Sequence, residues 1–196
     1  MDERAEHVAA FIVAGGKSSR FGEDKTLYPF EGTPLIERVT GVLSRVFTDI
    51  TIVASDAARF SYLGIPSIPD EVKDLGPMGG LYTALIHAKR PWIFVAASDM
   101  PFLDTGLIRY MTTLTGDCDV VVPVIDGYYE ALHALYSTRC AGTVARFVRE
   151  NRRQVISFFP EVRVRNVTED EIRAHADPAR VFHNINSRLD VTARNP

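Results

Sequence analysis

Lys17, Arg20 and Lys25 lie within nine positions of one another, interleaved with Gly15, Gly16 and Gly22 and with the hydroxyls of Ser18 and Ser19. Glycine lets backbone N–H groups approach an anion closely, and guanidinium and ammonium groups add charge-assisted hydrogen bonds. The set suits a triphosphate. Two familiar phosphate loops are excluded by spacing. Gly16-Lys17-Ser18 looks like the end of a P-loop, but the glycine required five residues earlier is Phe11. A dinucleotide fingerprint starting at Gly15 would need glycine where Lys17 stands.

Phosphoryl chemistry also calls for a divalent cation, and Mg²⁺ is usually held by one or two carboxylates plus the substrate's own oxygens. Asp99 is the candidate, just past the apolar run Trp92 to Ala97. The competing reading makes Asp99 the cap of the helix that follows, but Asp104, immediately before that helical run, is the better cap. A second constellation joins Asp70 to the turn Gly76-Pro77-Met78-Gly79-Gly80. The turn opens a helix, whose N–H groups and positive end can face an anion or a base edge. Asp70 could accept hydrogen bonds from a base or a sugar. The bland alternatives are a plain strand-to-helix connection and a solvated turn aspartate. His133, within an apolar run, reads as a satisfied core histidine rather than a base. Asn184 and Asn186 alternate about Ile185, so in a strand both amides would face one side, to help hold Mg²⁺ or phosphate or to stabilise a turn. Arg146, Arg149, Arg152 and Arg153 could meet an anionic ligand, though a solvated helix face is the stronger reading.

The elements that must position these residues alternate. Val8 to Ala14 is a nearly continuous apolar run, as expected of a strand buried on both faces. Leu35, Ile36, Val39, Val42, Leu43 and Val46 follow helical spacing, with Pro34 suited to the first helical position. Ile50 to Ala54 and Ile65 to Pro69 read as strands, Gly76 to Ala88 as a turn and helix, and Trp92 to Ala97 as another strand. Val120 to Val124 and Ala131 to Tyr136 read as two strands flanking a segment that contains the turn Asp126-Gly127. Thr138 to Asn151 is helical in pattern. The early order is β-α-β-β-α-β, which predicts a mainly parallel α/β sheet whose ligands sit beyond the carboxyl ends of the strands. The loops Gly15 to Leu27 and Ser98 to Leu103 leave strands at that end and should lie together.

Composition sets the outer bounds. The chain has 196 residues, 46% hydrophobic and 24% charged, which fits one domain with one core; residues 1–196 are read as a single domain. A formal net charge of −3 favours neither a nucleic-acid backbone nor an anionic membrane as partner. Cys118 and Cys140 lack zinc-site or disulfide-framework spacing. The acidic N-terminus and the absence of a long apolar run point to a soluble, cytoplasmic protein.

The stretch Val13 to Lys25 resembles the nucleotidyltransferase signature L-x-G-G-x-S-x-R-x-G-x-D-K over thirteen positions, with Val13 for the leading leucine. Pro69-Asp70, Gly76 to Gly80, Asp99-Met100-Pro101-Phe102-Leu103, Glu130 to Tyr136 and Asn184-Ile185-Asn186 follow in order. Together these resemble the molybdenum cofactor guanylyltransferases over nearly the whole chain. Met78 replaces a leucine of that pattern and Ala131 a proline, the latter removing a rigid φ near the expected pterin side.

The resemblance implies a Rossmann-like three-layer sandwich with a mainly parallel central sheet, of the nucleotide-diphospho-sugar transferase type. It implies transfer of GMP from GTP to the terminal phosphate of molybdopterin, with Mg²⁺ as cofactor and release of pyrophosphate. Arg20, Lys25 and Asp99 would be catalytic, with Asp99 on the metal. Val13, Ala14, Gly15, Gly16, Ser18, Lys25, Ser55, Asp70, Gly76, Gly79, Gly80, Asn184 and Asn186 would bind the nucleotide or the cofactor. GTP and molybdopterin are the expected partners, with transient contact to molybdoenzymes or cofactor-synthesis proteins. Transfer of CMP or another nucleotide to a different phosphorylated acceptor, and a non-catalytic carrier of nucleotide or cofactor, are the alternatives.

Overall fold

The computed structural model describes residues 5–14 and 25–185 and, for Lys25, the backbone alone. Gly15, Gly16, Lys17, Ser18, Ser19, Arg20, Gly22, the Lys25 side chain and Asn186 therefore lie outside the described residues. In chain order the elements are β1 (Val8–Val13), β2 (Pro29–Phe30), β3 (Thr33–Pro34), α1 (Leu35–Leu43), β4 (Ile50–Val53), β5 (Ser67–Ile68), α2 (Pro77–His87) and β6 (Trp92–Ala97). They continue with α3 (Thr105–Thr113), β7 (Val120–Ile125), β8 (Tyr128–Tyr129), β9 (His133–Ser137), α4 (Ala141–Arg149), β10 (Val164–Val167), α5 (Glu169–Arg173) and α6 (Pro178–Val181).

All six residues of β1 and all six of β6 are buried, as continuous apolar runs covered on both faces must be. Among the described residues the main sheet has the order β10-β7-β9-β6-β1-β4-β5, with β8 paired to β7. β1 runs parallel to β4 and β6, β4 to β5, and β10 to β7; β9 is antiparallel to both β6 and β7.

Side-chain alternation divides the core into two layers. Val8, Ala10 and Ile12 of β1 pack with Ile36, Val39 and Leu43 of α1, Leu107, Ile108 and Met111 of α3, and Ile172 and Val181 of α5 and α6. Ala9, Phe11 and Val13 pack on the opposite face with Met78, Leu81, Ala84 and Leu85 of α2 and Val144 and Phe147 of α4. The result is a three-layer α/β sandwich with a mainly parallel sheet, as the alternation of patterns predicts.

Three local features differ from the sequence reading. The short hairpin β2–β3 intervenes before α1, so Pro34 ends β3 at the N-cap position rather than entering the helix. Asp126 (φ 50°) and Gly127 (φ 81°) form a two-residue turn joining β7 to the short β8, and β9 begins only at His133. β10 was not expected: Val164-Arg165-Asn166-Val167 is only partly buried along an edge, so it lacks the apolar run that marks the central strands.

Candidate functional site

The β1–β6 ladder is in register from Val8 opposite Trp92 to Val13 opposite Ala97. The chain thus leaves the two strands side by side, and the Ser98 N–H donates to the Val13 carbonyl at 3.3 Å. Ala14 after β1, and Ser98 and Asp99 after β6, thus leave at one end of one sheet. That is the crevice expected to hold ligands in a parallel α/β sheet.

β4 and β5 carry the next residues to the same edge. The Ala14 N–H donates to the Val53 carbonyl at 2.8 Å and the Ala54 N–H to the Ile68 carbonyl at 3.0 Å. Just beyond, the exposed Ser55 hydroxyl donates to Asp70 Oδ2 at 3.2 Å. Burial pushes the Asp70 carboxyl above its ordinary range, with the Ser55 hydrogen bond acting in the opposite direction. Gly76 (φ 62°, ψ −145°) caps α2 in the left-handed region that favours glycine, and Pro77 takes the first helical position.

Gly79 and Gly80 owe their identity to space. A β-carbon on Gly80 would lie 2.6 Å from Val13 Cγ1, and one on Gly79 would lie 2.9 Å from the Val72 carbonyl oxygen. Val13 accordingly presses its side chain on α2 and supplies its carbonyl to Ser98. Thr83, which the sequence reading missed, ties this region together: its hydroxyl donates to the Gly79 carbonyl at 2.9 Å and accepts from the Glu71 N–H at 3.0 Å. The sequence signal that could have found it is a hydroxyl four residues beyond Gly79 in the predicted helix, one turn on; its complete burial is seen only in the fold.

The competition between Asp99 and Asp104 resolves as expected. Asp104 is the N-cap of α3, accepting the Leu107 N–H at 3.0 Å, which leaves Asp99 with no capping role on that helix. Asp99 instead meets the C-terminal segment, whose Ile185 N–H donates to the Asp99 carbonyl at 3.0 Å. Residues 183–185 form no strand; they are held because Ile185 is fully buried against Phe30 of β2 and Leu35 at the start of α1. This seats Asn184 beside Asp99, with its Oδ1 buried and without a hydrogen-bond partner. A carboxylate and a neighbouring amide oxygen are hard donors of the kind Mg²⁺ takes, one or two from protein with the remainder from water and phosphate. The residues present fit such an ion.

His133 lies opposite Ala96 and is completely buried, its ring edge-on to Phe94 (5.2 Å) and Phe182 (5.1 Å). Burial holds its pKa down at about 3, so the ring is neutral. It is a core histidine, as the sequence reading has it, but neither ring nitrogen has a hydrogen-bond partner among the described residues. Arg146 and Arg149 of α4, and Arg152 and Arg153 just beyond it, are exposed as expected: Arg146 pairs with Glu150 and Glu161, and Arg152 with Glu150 at 3.5 Å.

Fold and site together define a nucleotidyltransferase of the three-layer α/β type. The chain belongs to the MobA-like NTP transferase domain family, whose model matches residues 10–165. It is 36% identical over 180 residues to the probable molybdenum cofactor guanylyltransferase of Pelotomaculum thermopropionicum, covering 92% of this chain and 88% of that one. It is 33% identical over 189 residues to the molybdenum cofactor guanylyltransferase of Desulfosudis oleivorans, covering 94% and 92%. Among solved structures, the molybdopterin-guanine dinucleotide biosynthesis protein A of Archaeoglobus fulgidus superposes with a TM-score of 0.82 at 26% identity, covering 94% of this chain and 95% of that one. No helix among the described residues is long and apolar enough to cross a membrane.

Proposed function

We propose that this protein transfers GMP from GTP to the terminal phosphate of molybdopterin, forming the guanine dinucleotide cofactor and releasing pyrophosphate. The observation that carries the reading is that β1 and β6 end side by side, so that Ala14, to which the sequence joins the Gly-rich cationic motif, leaves the sheet at the same end as Ser98 and Asp99. Its chemistry is in-line attack: an oxygen of the acceptor's terminal phosphate forms a bond to the α-phosphorus of GTP as the bond to the β-phosphate oxygen breaks. No covalent enzyme intermediate is needed, so the chain's task is positioning and charge stabilisation.

In this reading the glycines at 15 and 16 and Ser18 cradle the phosphates, and Arg20 and Lys25 stabilise the charge that builds on them. Ser55 and Asp70 lie on the nucleotide side and meet the sugar or base. Asp99 holds Mg²⁺, with Asn184, and on the sequence pattern Asn186, contributing to that corner. Mg²⁺ there would neutralise charge on the phosphate oxygens. A cytoplasmic setting and transient handover to molybdoenzymes accompany this role.

The test is pyrophosphate release with each nucleoside triphosphate in the presence of molybdopterin and Mg²⁺. GTP should support turnover; release with CTP and none with GTP would overturn the guanylyl assignment. Asp99→Asn should lower kcat by at least about a hundredfold with an unchanged melting temperature, on the scale of losing one preorganised charge-stabilising group. Full activity in that variant would remove Asp99 from the mechanism.

A further inference from the structure

We propose that Glu130, with the exposed Tyr128 leading into it, recognises the aminopyrimidinone edge of the pterin on the acceptor. The inference rests on the pterin-acceptor reading above and names the residues of its acceptor half.

Position comes first. In the antiparallel β6–β9 ladder His133 stands opposite Ala96, and the Ala97 N–H donates to the Leu132 carbonyl at 3.0 Å. Two residues further out along the returning strand lies Glu130, at the same end of the sheet by which Ser98 and Asp99 leave β6. The sheet order puts β9 and β7 on one side of β6, and β1, β4 and β5 on the other. Glu130 is therefore separated from the Ser55–Asp70 pair by the strand that carries Asp99.

Its backbone is fixed at both ends. The Glu130 N–H donates to the Pro123 carbonyl at 3.0 Å, and its carbonyl accepts the His133 N–H at 2.9 Å. The carboxyl is half-buried, has no hydrogen bond or ion pair to a described residue, and is pushed above the usual carboxylate range by that burial. A carboxyl drawn partly out of water without a cation is costly, and such groups concentrate at binding sites. Two independent observations point to a ligand at this end of the sheet. Asn184 Oδ1 is buried without a partner beside Asp99. Tyr128 leaves 76% of its surface exposed at the tip of the β7–β8 hairpin. That hairpin is held in place, since the Asp126 N–H donates to Glu169 Oε1 at 3.0 Å and Tyr129 packs edge-on to Phe159 at 5.1 Å.

The ligand chemistry follows from the donor pattern. A carboxylate accepts two parallel N–H bonds from a planar fork. An aminopyrimidinone offers that fork in its amino group and adjacent ring N–H, and the flat face of the same heterocycle suits stacking on a tyrosine. Guanine presents the same fork, so the two sources must be separated by experiment; the location of Glu130 across Asp99 from Ser55 and Asp70 favours the pterin.

The test uses the full chain with molybdopterin varied at saturating GTP and Mg²⁺, then GTP varied at saturating acceptor, with GTP affinity measured separately by calorimetry. Glu130→Gln should raise the acceptor KM by about tenfold or more, the scale of losing a charged hydrogen-bond acceptor, while the GTP Kd stays within about twofold. Tyr128→Ala, at an exposed site that cannot unfold the core, should raise the acceptor KM by roughly fivefold. An unchanged acceptor KM in both variants overturns the inference, as does a weakened GTP affinity in Glu130→Gln, which would assign the carboxylate to guanine. Wild-type protein that transfers no GMP to molybdopterin overturns the functional reading itself, an outcome distinct from active wild type with indifferent variants.

Discussion

At the scale of single residues, the polar groups left without partners are more informative than those that pair. His133 is the clearest case. An imidazole with both nitrogens unsatisfied inside an aromatic cage costs on the order of 1–3 kcal/mol relative to a satisfied or apolar group. His133→Leu, which keeps apolar contact with Phe94 and Phe182, should therefore raise stability by about 1 kcal/mol, read as an increased denaturation midpoint at unchanged m-value. A fall of the same size would show that the ring makes hydrogen bonds in solution. With its pKa held near 3, His133 should contribute nothing to a pH–rate profile near neutrality. The apolar run around His133 already showed in the sequence a buried ring that is not a base, but not whether that ring finds a partner, which depends on residues that meet it only in the fold.

Among elements, the junction of β1 and α2 shows how glycine can serve packing within a site. A Gly→Ala change inside a helix ordinarily stabilises by up to about 1 kcal/mol. At Gly80 the sign should reverse, because the new methyl would meet Val13 Cγ1 at 2.6 Å and a β-branched, buried valine has little room to turn. Gly80→Ala should destabilise by about 1–3 kcal/mol. The double variant with Val13→Ala should recover part of that loss, giving a non-additive cycle in thermal or denaturant melts. Strict additivity would mean that the two residues do not touch. The glycine-rich turn was legible in the sequence as a helix entrance, and Gly76 at the cap bears this out. The close contact across to β1 was not, since residues 13 and 80 meet only when the sheet forms. The C-terminal motif has the same character: its alternation suggested a strand, whereas the apolar plug at Ile185 and its bond to Asp99 are tertiary.

For the whole molecule, edge strand β10 and helices α3 and α5 are tied together by a charged knot that should govern acid stability. Glu171 accepts from Arg165 Nη1 at 3.2 Å and from the Thr168 N–H at 2.9 Å, the latter completing a capping box, and also takes the Tyr110 hydroxyl. The Arg165 hydrogen bond is the chief cause that draws its pKa from 4.5 down to about 2. Because the folded pKa lies below the unfolded one, this stabilisation is complete above pH 4.5 and is lost as the pH falls toward 2. Glu171→Gln should lower the melting temperature at neutral pH and flatten its decline across that window. An equally steep decline in the variant would place the acid sensitivity elsewhere. Ligand binding acts at the same scale: GTP with Mg²⁺ at a hundred times its Kd should stabilise the wild type by about 2.7 kcal/mol, and Asp99→Asn should lose most of that shift.

The sequence by itself determined the buried strands, the helices between them, the mainly parallel sheet and the candidate chemistry of Asp99 and of the loop after Val13. These are local matters: apolar runs, helical spacing, turn residues and a linear motif record the physics of short stretches of chain. Only the tertiary structure decided that β9 returns antiparallel between β6 and β7, and that the partly polar β10 closes the sheet edge. It also decided that Ile185 anchors Asn184 beside Asp99, and that Glu130 stands across β6 from Asp70. Each of these is a meeting of residues far apart in the chain, governed by register and by what a buried side chain must pack against, which no short window of sequence contains.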